Sequence, residues 1–287
     1  MMSPRSIEFK TVAEAVEKLC VDAAYNLGDD VLGALKEARG KETNPRAQGI
    51  LDELIENAQI AKEDLIPLCQ DTGLAVVFVE QGSDTFVESP AGRTMEDAIN
   101  LGVAEAYERA YLRKSVVAEP LRNRSNTKTN TPAIIHHSFV PGDKIKISVM
   151  AKGGGCENKS QFRMFNPTTS VSEVVGWVVN VVIQAGANAC PPFVVGVGIG
   201  GNFEKSCILS KKALLRKIGE SNSDKFYADM EKDILEKVNA SGLGPQGLGG
   251  DTTALGCFVE FSPCHIASLP AAVTIECHSH RHKSAII

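Results

Sequence analysis

Residues 190–201 read CPPFVVGVGIGG, and no other stretch limits the fold so strongly. Two prolines stop whatever precedes them, because neither carries an N–H for a helix or a ladder. The run that follows is short, apolar and bounded by turn residues, the pattern of a buried strand. Its glycines at 196, 198, 200 and 201 offer no side chain to pack, so they suit a place where another backbone comes close or a turn tightens. Formally the run contains GxGxxG ahead of a helix, the pattern of a dinucleotide loop. The downstream sequence does not extend that reading. A second polar helix, SDKFYADMEKDILEKVNA, follows the first, and no strand ends in an acidic residue at the required distance. Close backbone approach is the better account, and a nucleotide-dependent dehydrogenase stays as a remote alternative.

A buried strand needs a core around it, and 287 residues with 43% hydrophobic and 23% charged content supply one. The net charge of −5 argues against a general nucleic-acid binder, which needs a basic face, and leaves room for a small basic pocket. The opening MMSPRSIEFKTVAEAVEKL has no apolar signal core and is too acidic for a transit peptide. The apolar stretches near 174–199 are interrupted by glycines, Asn180, Gln184, Asn188 and Pro191–Pro192, so they read as core and not as a membrane span. A cytoplasmic protein without nucleic-acid or membrane partners is expected.

Periodicity predicts a helix over 11–39 and a second opening at Asn44-Pro45. CQDTG and the strand LAVVFV come next, then a helix over 94–112 started by Thr94 with Asp97 three positions on. AIIHHSFV and KIKISVMAK read as strands joined by Pro-Gly-Asp. Ser170 and Glu173 suggest a capping box for a helix over 170–187, and two more helices are expected near 204–219 and 223–240. GLGPQGLGGDTTALGCFVEF is a glycine loop feeding a strand, and CHIASLPAAVTIECHSHRH reads as loop plus strand. The expected fold class is mixed α/β (α+β). A helical N-terminal part precedes mixed strands and helices, in a single catalytic unit over residues 1–287.

Eight cysteines, at 20, 69, 156, 190, 207, 257, 264 and 277, include no CxxC pair. That spacing fits neither a disulfide framework nor a compact zinc finger. The thiols are either buried structural groups or ligands gathered from far apart. CQDTG admits both readings: Asp-Thr-Gly makes a good turn, yet a soft ligand, an amide, a carboxylate and a hydroxyl stand together at the mouth of a strand. KGGGCENKS is either a plain turn or a nest of N–H groups for a carboxylate. In CHSHRH, Cys277, His278, His280 and His282 suggest a zinc-bound scaffold. On a strand, however, the histidines share the face opposite the thiol. His136 and His137 fall in a strand and carry no clear signal.

CQDTG, LRKS, KGGGCENKS, ACPPFVVGVGIGGNFEKS, GLGPQGLGGDTTALG and CHIASLPAAVTIECHSHR occur in that order. Together they resemble the α subunit of the two-subunit iron–sulfur hydro-lyases, class I fumarase and L(+)-tartrate dehydratase, from about residue 10 to the end. The resemblance implies a [4Fe–4S] cluster held by Cys69, Cys190 and Cys277, with one iron left open as a Lewis acid. Cys264 is the rival for the third position, and Cys156 stands where the family commonly has serine. The implied reaction is reversible hydration of fumarate to L-malate, with tartrate to oxaloacetate as the alternative. Asp71 is the implied acid–base group, and Gln70 lies beside the cluster. The glycines Gly153, Gly154 and Gly155 are implied to contact a substrate carboxylate. Arg113 in LRKS matches the substrate arginine, with Arg109 close by as a second candidate. His265 matches an active-site histidine that orients the substrate hydroxyl or shuttles a proton. The implied partners are a C4-dicarboxylate substrate and a separate β subunit completing the active site, in an αβ or α2β2 assembly. In single-chain relatives a second domain supplies that part, and the sequence here runs only to RHKSAII.

Overall fold

The computed structural model describes residues 4–287. In chain order the elements begin with β1 (Arg5–Glu8), α1 (Phe9–Tyr25), α2 (Asp29–Lys41), α3 (Pro45–Asp64), β2 (Leu74–Gly82), β3 (Thr85–Glu88) and α4 (Met95–Arg109). They continue with β4 (Ile134–Val140), β5 (Ile145–Lys152), α5 (Gly154–Glu157), β6 (Gln161–Phe165), α6 (Val171–Ala185) and β7 (Phe193–Gly200). The chain ends with α7 (Phe203–Ala213), α8 (Lys225–Asn239), β8 (Ala254–Ser262), β9 (Leu269–Glu276) and β10 (His282–Ile286). The fold is mixed α/β, as the patterns lead one to expect. Two compact units divide the chain. The first comprises the chain up to Leu27, Ile60–Gly153 and Arg281–Ile287; the second comprises Gly28–Gln59 and Gly154–His280.

The first unit is built on a sheet in the order β10-β5-β2-β4. Ala75, Val77 and Val79 of β2, with Ile145, Ile147 and Val149 of β5, turn one apolar face toward α1 and α4. The helices meet backbone to backbone, since a Cβ on Gly102 of α4 would lie 2.3 Å from the Ala13 carbonyl oxygen of α1. β4 and β5 are not a hairpin: β2 lies between them, parallel to β4 and antiparallel to β5. The Pro-Gly-Asp link passes over the end of β2, where Ser83 N–H donates to Val140 O (2.8 Å) and Gly82 N–H to Lys144 O (2.8 Å).

The helix expected over 11–39 is two helices. Asn26, Leu27 and Gly28 interrupt it, and Asp29-Asp30 suits the first turn of a new helix. Asn44 opens α3 with its Oδ1 accepting from Arg46 N–H (2.9 Å). Thr94 and Asp97 form the expected capping box. At Ser170 only half of one forms, with Oγ accepting from Glu173 N–H (3.3 Å).

The second unit holds a sheet in the order β6-β9-β7-β8, with β7 buried along its whole length. Val195, Val197 and Ile199 face a core with α6 and α8. The alternate positions face α7, and here the glycine pattern finds its cause. A Cβ on Gly196 would lie 2.1 Å from Ser210 O, and one on Gly198 would lie 2.0 Å from Ser206 O. Glycine lets α7 lie directly on the strand. The chain then crosses through α7 and α8 to β8, which runs parallel to β7. α7 stops at Ala213, short of the expected 219.

Candidate active site

In the first unit, the loop after α3 is pinned before it reaches Cys69: Leu68 N–H donates to Ala24 O (2.9 Å) at the end of α1. Cys69 and Asp71 are partly exposed and Gln70 is exposed. Asp71 Oδ1 accepts from Gly73 N–H (3.0 Å), so the turn reading of Asp-Thr-Gly is realised. Gly73 is required there, with φ at +76° and a Cβ position only 2.7 Å from the Lys152 backbone.

Four distant residues hold this corner. Tyr107 OH donates to Thr72 O (2.7 Å) and lies 3.1 Å from Gly73 O. Asn130 Nδ2 donates to Gly73 O (3.1 Å). Thr72 Oγ1 donates to Arg113 O (2.7 Å). Arg281, only 2% exposed, donates from Nη1 to Asp71 O (2.6 Å). Burial pushes the Tyr107 hydroxyl above its ordinary pKa, so it remains a donor. Gly153 faces both Asp71 and Arg281: a Cβ there would sit 3.4 Å from Asp71 Oδ2 and 3.4 Å from Arg281 Nη2. Arg281 was not singled out from the sequence. A single arginine among histidines carries no spacing signal, and only the pairing of β10 with β5 puts it beside Asp71.

The two candidate arginines differ. Arg109 Nη1 is engaged by Glu17 (2.7 Å). The Arg113 side chain is exposed and, among the described residues, pairs with no acid. Arg113 is the one with a guanidinium to offer.

In the second unit, Cys190 and Cys277 lie at the same end of the sheet. Cys190 immediately precedes the Pro-Pro that leads into β7, and Cys277 follows the last residue of β9, which pairs with Val194. His278 N–H points to Cys190 O at 3.4 Å. Cys190 is exposed and left-handed (φ 55°, ψ 65°), a conformation costly for a residue with a Cβ. Pro191 O beside it accepts from Gln246 N–H (2.8 Å) and from Gln246 Nε2 (3.0 Å). The glycine loop bearing Gln246 is fixed in turn by Glu42. This buried carboxylate accepts from the N–H groups of Thr43, Asn44, Asp251 and Thr252.

The glycine run is not a nest. Gly153, Gly154 and Gly155 have no left-handed member, and Gly154–Glu157 forms the single turn α5. Its first N–H groups share one direction, as at any helix start. Gly155 lies against the thiol end, its Cβ position 3.4 Å from Asn188 O.

His265 is elsewhere. It sits between β8 and β9, at the end of the sheet opposite Cys190 and Cys277. The eight residues of β9 separate it from Cys277 by roughly 25 Å at about 3.3 Å per residue. Its Nδ1 accepts from Ala267 N–H (3.1 Å). Cys264 shares that far end, so of the two rivals Cys277 is the one beside Cys190. β9 stops at Glu276 and residues 277–281 form a loop, so Cys277 and the histidines after it do not lie on opposite faces of one strand.

Cys20, Cys156 and Cys257 are buried. Burial, then Glu17, pushes Cys20 up to about 12; burial also raises Cys257 and the half-buried Cys207. Cys156 Sγ donates to Ala189 O (3.2 Å). Cys69, Cys190 and Cys277 all keep exposed surface. Among the described residues no three His, Cys, Asp or Glu side chains gather around a point that one metal ion would fill. A cubane brings its own sulfide and takes thiolates around its outside, so accessible cysteines suit it. No helix among the described residues is long and apolar enough to cross a membrane.

The sequence matches the family model described as fumarate hydratase (Fumerase) over residues 13–286. It is 42% identical over 275 residues to a Methanocaldococcus jannaschii protein provisionally named L(+)-tartrate dehydratase subunit alpha, covering 94% of this chain and 95% of that protein. It is 30% identical over 278 residues to the L(+)-tartrate dehydratase subunit alpha of Escherichia coli O157:H7, covering 96% of this chain and 90% of that one. The protein of the same name from E. coli strain UTI89 is 31% identical over 272 residues.

Proposed function

Because the chain belongs to the fumarate hydratase (Fumerase) family, we propose that it is the α subunit of an iron–sulfur enzyme that dehydrates L(+)-tartrate to oxaloacetate. The chain is a hydro-lyase. The names of its relatives put tartrate ahead of fumarate, reversing the order expected from the motifs. Hydration of fumarate to L-malate is the second reading, favoured by the family model's own description.

The observation that carries the cofactor reading is the thiol end of the second unit. Two accessible cysteines meet there, one held in an unfavourable backbone state by its neighbours. Cys190 and Cys277, with Cys69 of the first unit, are proposed as ligands of a [4Fe–4S] cluster. When bound, such a cluster with one iron free of protein ligands supplies a Lewis acid for the departing hydroxyl.

Tartrate loses a proton from one carbinol carbon and hydroxide from the other; the two leave as water, and the enol product becomes oxaloacetate. Negative charge grows on the carboxylate beside the proton-losing carbon. The Arg113 guanidinium can grip that carboxylate with two bonds. The N–H groups at Gly153, Gly154 and Gly155 are proposed to add donors. Asp71 is proposed to take the proton, with Arg281 and Gly73 holding it in place, and Gln70 to contact substrate. His265, at the far end of its sheet, receives no role at the thiol end. A β subunit is proposed to complete the site, and a cytoplasmic location is proposed because an open cluster and eight thiols suit a reducing compartment.

The test is anaerobic reconstitution with iron, sulfide and the β subunit, followed by turnover of L(+)-tartrate, fumarate, L-malate and mesaconate side by side. Tartrate should be fastest. Faster turnover of fumarate would favour the second reading, and a loaded enzyme inert toward all four would overturn both. Serine at 69, 190 or 277 should lower bound iron and sulfide, whereas serine at 264 should not.

A further inference from the structure

Four strands close the two larger sheets at their edges: β10 and β4 in the first unit, β6 and β8 in the second. Three carry a charged side chain, Lys283 in β10, Arg163 in β6 and Glu260 in β8. Edge charges discourage another strand from adding on. β4, with the sequence IIHHSFV, has none, and its Ile134 and Phe139 are 46% and 74% exposed.

The direction of its peptide groups follows from one bond. Val140 O accepts from Ser83 N–H just past β2 (2.8 Å), so residue 140 faces β2. In a strand the N–H and C=O of one residue point to the same side, and successive residues alternate. Ile134, His136 and Ser138 therefore also face β2, while Ile135, His137 and Phe139 direct theirs outward.

We propose that β4 pairs antiparallel with β4 of a second copy of this chain, about a two-fold axis through His137. The outward set is closed under that operation. His137 meets His137 of the second copy, and Ile135 meets its Phe139. Every outward N–H then finds an outward carbonyl in the alternation of an antiparallel ladder. The side-chain pairs are an aliphatic against an aromatic group, twice, around an imidazole pair, and no lysine, arginine, aspartate or glutamate is opposed. Length also selects the occupant. Pro141 ends the strand on the outward side and offers no N–H to a longer partner. A second β4 has the same length and the same fence. The contact is isologous and closes at two copies.

The test is the mass of the full chain in solution by sedimentation, with and without the β subunit. The chain alone should be dimeric. His137→Pro removes an outward N–H, together with the imidazole beside the Phe139 ring, and no bond to β2, so it should abolish the dimer with the circular dichroism spectrum unchanged. Phe139→Lys, at an exposed side chain, keeps the backbone intact and should weaken the dimer roughly tenfold or more by breaking two cross-strand pairs. Across the axis the Cα atoms of a hydrogen-bonded pair lie about 5.5 Å apart, within disulfide reach. His137→Cys should therefore yield, on mild oxidation, a dimer whose cross-linked peptide joins the two 137 positions. A chain that stays monomeric at its highest soluble concentration would overturn the proposal. So would a dimer untouched by both substitutions. If the variants block only assembly with the β subunit, a strand of that subunit holds the edge, and self-pairing is wrong.

Discussion

The Cys69 corner of the first unit and the Cys190 turn of the second both offer an accessible thiol, but they are held by different means. At Cys69, long side chains reach in from afar: Tyr107, Asn130 and Arg281 each donate to a carbonyl of the CQDTG turn. At Cys190 the backbone itself is bent into a left-handed state and braced by loops, with Gln246 on Pro191 O and Glu42 collecting N–H groups beneath. The first arrangement spreads the load over several independent donors. The second concentrates it, so a single substitution should do most harm there.

Glu42→Ala is the strongest test of that contrast. The carboxylate is 3% exposed and gathers N–H groups from both the α2–α3 junction and the glycine loop. Its removal orphans several buried donors together, for an expected loss of about 4 kcal/mol. Thermal unfolding measures the loss, and hydrogen exchange should quicken across 243–252. A change of under about 1 kcal/mol, an ordinary surface effect, would break the comparison.

Arg281→Met comes next. The variant keeps most of the buried volume and removes the donor to Asp71 O. A buried guanidinium is costly to desolvate, and that offsets part of the loss, leaving about 2 kcal/mol. Turnover should fall further than stability, roughly a hundredfold, because Asp71 loses its placement. A fall in Tm without a fall in kcat would make Arg281 purely structural.

Tyr107→Phe removes one of several donors and should cost about 1 kcal/mol at neutral pH. Its native pKa is raised, chiefly by burial. A raised native value means that the hydroxyl's contribution is fully present below the unfolded value near 10. It is lost as pH climbs beyond that, because the unfolded chain releases the proton first. The gap between wild type and variant should therefore narrow above about pH 10 in denaturant titrations. A constant gap would mean that the hydroxyl ionises freely in the fold.

Local patterns were legible in the sequence wherever one residue decides one geometry. The Thr94–Asp97 box, the Asn44-Pro45 start and the glycines under α7 all follow from backbone needs that a few letters express. The order β5-β2-β4 was hidden because Pro-Gly-Asp serves equally well to join neighbours or to step over a strand. Arg281 was hidden because its role depends on β10 pairing back to β5 from the far end of the chain. His265 carried a signal that motif matching passes over. The run LPAAVTIE between it and Cys277 is one strand long, and a strand puts its two ends far apart.

The smallest expected effect tests the second region at its most local point. Gln246→Ala removes the Nε2 bond to Pro191 O and leaves the backbone bond from Gln246 N–H in place, so stability should fall by only about 0.5–1 kcal/mol. The informative readout is the thiol. Cys190 has a left-handed backbone because its flanks are fixed, and loosening one flank lets it relax toward the right-handed region. In the cluster-free protein, the alkylation rate of Cys190 should change by a few-fold, as roughly 1 kcal/mol of strain is released. Cys69, held by side chains in the other unit, should react as before. Equal changes at both thiols would mean that the two regions are not independently braced, and an unchanged Cys190 would mean that the peptide bond at Gln246 braces it alone.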